Sequence, residues 1–134
     1  MTNPDTISPD LAQIIRQGAA MLTDVDRAVY LCRTEPDPSS ALAKTCGSLV
    51  SRYLALRRRL GTLPATAFTR HVDELLNYHL ELTGQASMLA FRPHDSHWAA
   101  LAEGFGDGLG APAAELRRLA DTLTTDHTGE RAHA

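Results

Sequence analysis

The sequence predicts an all-α domain, an antiparallel up-down four-helix bundle whose fourth helix is broken by a glycine-rich segment. Three observations carry that prediction. Apolar residues recur at three- and four-residue spacing in four long stretches, and none of these shows the strict alternation of a half-buried strand. The stretches are separated by short Pro- or Gly-containing connections, which favour antiparallel neighbours. The 134 residues, 43% hydrophobic and 22% charged, have the size and balance of one globular unit. The expected boundaries are a flexible 1–8, a single bundle domain over 9–124 and a disordered polar tail over 125–134.

The first stretch starts at Ser8-Pro9-Asp10, where serine is a good N-cap and proline is tolerated in the first turn. Leu11, Ile14, Ile15, Gly18, Leu22, Val25, Val29 and Cys32 keep one face apolar to about residue 33. Pro36 and Pro38 then stop the hydrogen-bond ladder. The second stretch carries Leu42, Cys46, Leu49, Tyr53, Leu56 and Leu60, a 4-3-4-3-4 spacing suited to a packed seam. Ser39 or Ser40 can cap its start and Gly61 can end it. The run Arg57-Arg-Arg59 falls in its last turn, where cations complement the helix dipole and read as a solvated helix end.

The third stretch follows Leu63-Pro64 and carries Phe68, Val72, Leu75, His79, Leu82, Ala86 and Leu89. Gly84 within it suggests a close helix crossing. The fourth begins near Ser96 with Trp98, Leu101 and Phe105, is interrupted by Gly104-Phe-Gly-Asp-Gly-Leu-Gly110, and resumes with Leu116, Leu119 and Leu123. Second apolar edges, Val50 and Leu54 on one helix and Leu76 and Leu80 on the other, either widen the core or form a homodimer seam.

His79 is the residue that the pattern does not explain, an ionisable ring at a leucine position. In an antiparallel bundle, residues equally distant from a connection lie at one height, at about 1.5 Å per residue. Counting back from the end of the second helix places His79 opposite Cys46, which is itself level with Cys32. Counting forward places it opposite the glycine break with Phe105, Asp107 and Leu109. The expected site is therefore His79 as acid or base with Asp107 and Tyr30 as catalytic partners, and a ligand-binding lining of Cys46, Cys32, Leu75, Leu82, Phe105 and Leu109. Asp24 and Asp26 are further carboxylates within reach. The plainer reading is a neutral core histidine whose nitrogens are satisfied locally.

Other motifs carry less. His94-Asp-Ser-His97 has metal-ligand chemistry, but the only comparable cluster, His71-Val-Asp-Glu74, lies about 30 Å away at the rise of a helix. The glycine-rich segment lacks the preceding strand and the lysine of a phosphate-binding loop. No motif requires a metal or a cofactor. A net charge of −3 argues against nucleic acid as a partner, and no apolar run approaches the roughly 20 residues of a membrane helix. The polar N-terminus does not read as a secretory signal, so a cytoplasmic setting with reduced thiols is expected.

From about residue 62 to 123, Leu63-Pro64, Val72-Asp-Glu-Leu-Leu-Asn-Tyr-His-Leu-Glu-Leu82, Trp98 and the glycine-rich turn before Ala114-Glu-Leu-Arg-Arg-Leu-Ala120 resemble a loose family. Its members are small actinobacterial helical proteins encountered beside natural-product biosynthetic genes, without an assigned activity. The resemblance implies a bacterial cytoplasmic role in specialised metabolism and transfers no site residues. The expected function is an accessory protein that binds a small apolar metabolite or a partner's helix near His79. A small cofactor-independent cyclase, isomerase or lyase and a regulatory interaction module are the alternatives.

Overall fold

The computed structural model describes residues 7–35, 37–90, 103 and 110–123, less the side chains of Ser39, Leu89 and Ala90. Every regular element among them is helical: α1 (Pro9–Ala20), α2 (Leu22–Thr34), α3 (Ser39–Leu60) and α4 (Ala67–Ala90), with helical backbone again over 110–123, here α5. The break of the fourth segment, with Phe105, Asp107 and Leu109, lies outside the described residues, as do His94, His97 and Trp98. No helix among the described residues is long and apolar enough to cross a membrane.

The first apolar stretch forms two helices where the pattern predicts one. Ser8 caps α1, its hydroxyl accepting the Leu11 amide at 3.2 Å, and Pro9 follows in the first turn. The chain then divides at Met21, just after Gly18-Ala19-Ala20. The Met21 amide still bonds to Gln17, and the Met21 carbonyl accepts the Asp24 and Val25 amides that start α2. The apolar stripe stays in phase across the divide, with Ile14, Ile15, Leu22 and Val25 all buried, so periodicity alone does not reveal it.

At α3 the N-cap is Pro38, with no side-chain cap bond, and the Pro38 carbonyl accepts the Leu42 amide at 2.7 Å. Neither serine is the N-cap, because helical backbone already starts at Ser39. Gly61 ends the helix as expected. α4 starts on a reciprocal pair. Thr66 Oγ1 accepts the Thr69 amide at 3.1 Å, and Thr69 Oγ1 accepts the Thr66 amide at 2.8 Å. This is the arrangement of a capping box, with threonine in the place of the usual glutamate.

α3 and α4 form the most extensive helix pair, and they run antiparallel. Leu42, Cys46, Leu49, Tyr53, Leu56 and Leu60 from α3 and Val72, Leu75, Leu76 and Ala86 from α4 are all buried in one core. The first stretch also runs antiparallel to α3: Arg59 reaches Gln13 and Gln17 on α1, while Arg52 reaches Asp24 on α2. α5 closes the other side. Leu116 is fully buried, Arg117 pairs with Asp26 of α2, and Glu115 pairs with His71 of α4.

The close approach in the bundle is at Gly18. A Cβ there would lie 3.1 Å from Leu76 Cδ2 and 3.4 Å from Leu116 Cδ2, so α1 meets both α4 and α5 through this missing side chain. Gly84 does not mark a crossing, since a Cβ added to it meets nothing within 4 Å. Of the second apolar edges, Leu76 is fully enclosed and widens the core, whereas Leu54 is 38% exposed and lies outside.

Candidate functional site

His79 sits on the buried face of α4 with its ring fully enclosed. Its Nδ1 is 2.6 Å from the Leu75 carbonyl oxygen one turn back. A carbonyl only accepts, so the proton is assigned to Nδ1 and the neutral ring presents a bare lone pair at Nε2. That nitrogen has no hydrogen-bond partner among the described residues. Burial holds the imidazole below its ordinary pKa; the Leu75 bond works against that shift and the positive charge of Arg117 adds to it. The enclosed ring therefore favours the neutral form.

Its neighbour across the seam is Tyr53 of α3, with ring centroids 5.5 Å apart and planes tilted by 34°. Tyr53 is fully enclosed too, and its hydroxyl also lacks a partner among the described residues. Burial raises the phenol above its usual range. One turn further along α4, Thr83 donates its hydroxyl to the His79 carbonyl at 2.7 Å and lies near the Leu80 carbonyl at 3.1 Å. The side chains of His79 and Thr83 thus bond to their own helix.

The neighbour of His79 is Tyr53 and not Cys46, which corrects the height count by about two turns. Arg57 explains the difference. Its guanidinium forks onto Asp73, at 2.8 and 3.0 Å, and reaches Asn77 Oδ1 at 2.8 Å. These bonds, midway at about residues 65 to 67, set the level point of the two helices at the α4 end of the 61–66 connection and not at its middle, so α4 is shifted along α3 relative to a symmetric turn. Cys46 is then level with the later part of α4, beyond Thr83. Cys32 and Cys46 are both buried, free thiols. Burial, with a smaller contribution from Cys32, pushes the Cys46 thiol up to about 12, and burial raises Cys32 as well.

Among the described residues, none of the expected partners gathers at His79. Asp24 is engaged by Arg52 at 2.6 Å and Asp26 by Arg117 at 3.1 Å. Tyr30 is 63% exposed, and Asp107 lies outside the described residues. Of the expected ligand lining, Leu75, Cys32 and Cys46 are buried core and Leu82 is half-buried. Tyr78 faces solvent, and Glu81 accepts from Asn77 at 3.2 Å. No cluster of three His, Cys, Asp or Glu side chains suited to a metal occurs among the described residues.

Among the described residues, open grooves of about 460 Å³ flank this core at two places, and His79 lines neither of these. The first runs along α2 against α5. Leu22, Val25, Val29 and Ala113 form its apolar bed, and Tyr30, Arg33 and Arg117 stand at its rim. The second lies where the end of α3 meets the start of α4, over Leu60 and Leu63. It holds two residues of the arginine run, which is not simply a solvated helix end. Arg57 is tied to α4 and Arg59 to α1, and Arg58 is left facing outward. Sequence reasoning missed both grooves, because each is made by helices whose pairing no single stretch encodes. Tyr30, an aromatic beside the apolar stripe, was the one signal for the first. No family model matches the chain, and no curated protein or solved structure matches it either.

Proposed function

We propose that the chain is a non-catalytic helical-bundle binding protein that holds a small, largely apolar molecule in the groove between α2 and α5. The observation that carries this reading is the contrast between the two places. The ring at His79 is sealed, while the α2 groove presents an apolar bed beside an exposed tyrosine. Pockets of a few hundred Å³ between helices, mostly apolar with a few polar groups at the rim, are a usual home for small ligands. Binding therefore moves outward from His79 to Val29 and Tyr30. The setting in natural-product metabolism rests on the resemblance of residues 62–123 alone.

An enzyme using His79 as acid or base is the weaker reading. General acid–base catalysis needs a group within hydrogen-bond reach of a substrate proton, and Nε2 faces neither groove. The test uses the neutral fluorophore N-phenyl-1-naphthylamine with the wild type, Val29→Asp and His79→Leu. Saturable binding that weakens about tenfold in Val29→Asp and persists in His79→Leu supports the α2 groove. Binding lost in His79→Leu and kept in Val29→Asp returns the site to the seam and refutes the proposal.

A further inference from the structure

We infer that the second groove, at the junction of α3 and α4, is a docking surface for an acidic amphipathic segment of a partner protein. Its lining combines an apolar floor with cations in excess: Leu54, Leu60 and Leu63 with Arg57, Arg58, Arg70 and Asp73. Asp73 is taken up by the Arg57 fork, so it does not neutralise the other two arginines. Among the described residues, neither Arg58 nor Arg70 has a carboxylate partner. The chain as a whole carries −3, which makes this surface a local reversal of sign.

The geometry favours a helical occupant. Leu54 and Arg58 are four residues apart on α3 and both exposed, so they form one ridge. Arg70 and Asp73 form the facing ridge on α4, with the buried Thr69 beneath them. Leu54 to Gly61 spans about 10 Å of helix at the usual rise, enough for two turns of a partner. A segment laid in this trough would put apolar residues on Leu54 and Leu63 and carboxylates beside Arg58 and Arg70, the helix-in-groove mode of recognition. The start of α4 is not the anion site, because the Thr66–Thr69 pair already takes the Thr69 amide of its first turn and the Thr66 amide just before it. The specificity lies in the two arginine side chains.

The experiment is fluorescence anisotropy with a labelled amphipathic helical peptide of about 15 residues, with a leucine stripe flanked by glutamates, and a twin in which glutamine replaces each glutamate. Arg58→Gln, Arg70→Gln and the double variant are compared with the wild type, and their urea midpoints are measured to confirm an intact fold. Exposed ion pairs support a loss of up to about fivefold for each arginine removed. The glutamate peptide is expected to bind the wild type more tightly than its twin, with that preference erased in the double variant and reduced by salt. Equal affinity of the two peptides, undiminished binding to the double variant, or absence of binding would overturn the inference. So would displacement by a single-stranded oligonucleotide, or sedimentation showing that a second copy of the chain fills the groove.

Discussion

Replacing His79 by leucine tests the reading of the seam most directly. The substitution removes the Nδ1–H bond to Leu75, worth about 1 kcal/mol, and the tilted contact with Tyr53, worth about 0.5–1.5 kcal/mol. Against this it eliminates a buried, unpartnered acceptor, whose retention costs about 1–3 kcal/mol, and it places apolar surface against Tyr53. These polar and ring contributions nearly cancel, at about 2 kcal/mol each, so the balance at neutral pH is set by the added apolar burial, about 0.8 kcal/mol per CH2, and is a gain of about 1 kcal/mol. The pH dependence is sharper. Because burial lowers the His79 pKa in the folded chain, the unfolded state binds the proton first. Wild-type stability therefore falls as pH drops below the unfolded value of 6.5, and this loss continues until the folded-state pKa is reached. Between pH 7 and pH 5 the loss from this one group is at most about 2 kcal/mol at 1.36 kcal/mol per pKa unit. Urea denaturation at both pH values reads it out. A leucine variant destabilised by more than about 2 kcal/mol at pH 7, or one that keeps the full acid dependence, would show that the ring is held by something other than its own helix.

The glycines separate propensity from packing. Gly84→Ala, with open space at Cβ, should raise stability by about 0.5–1 kcal/mol, whereas Gly18→Val, pressed against Leu76 and Leu116, should lower it by about 1–3 kcal/mol; thermal midpoints distinguish the two signs. A double-mutant cycle on Arg57→Ala and Asp73→Ala should give a coupling of about 1 kcal/mol, at the upper end for partly exposed pairs, because the fork is bidentate; a coupling near zero would remove it as a determinant of register. Cys46, buried with its thiol pushed up to about 12, should resist iodoacetamide in the native state and react only on unfolding, as should Cys32. Rapid native labelling would contradict the burial of both.

Much of the fold could be read from periodicity because the apolar stripes report faithfully which face of each helix is buried. Every residue of the α3 stripe from Leu42 to Leu60 is enclosed. What periodicity leaves open is where a helix ends and what it faces. Met21 divides the first stretch without disturbing its phase, and the pattern left Leu76 open between core and dimer seam because the residue that meets it on α1 is Gly18, which has no side chain. The height of His79 depended on the turn between α3 and α4, and a few residues of uncertainty there moved its neighbour from Cys46 to Tyr53. Surface residues decided that register: Arg57, Asp73 and Asn77 sit on polar faces that an apolar pattern ignores. The grooves were less legible still, since they arise between helices.

The hydrogen bonds of His79 and Thr83 have a topological consequence. Both side chains return to carbonyls of α4 itself, so lifting this helix from α3 breaks no buried polar bond between them. The pairing is held by shape and by the clamp at Arg57, and each can be reproduced by the α3 of another copy. With residues 61–66 as the hinge, exchange of α4 between two chains would rebuild the same interior, as in domain swapping. Within one chain the pairing is favoured by the high effective concentration that the tether gives α4, and not by the chemistry of the seam.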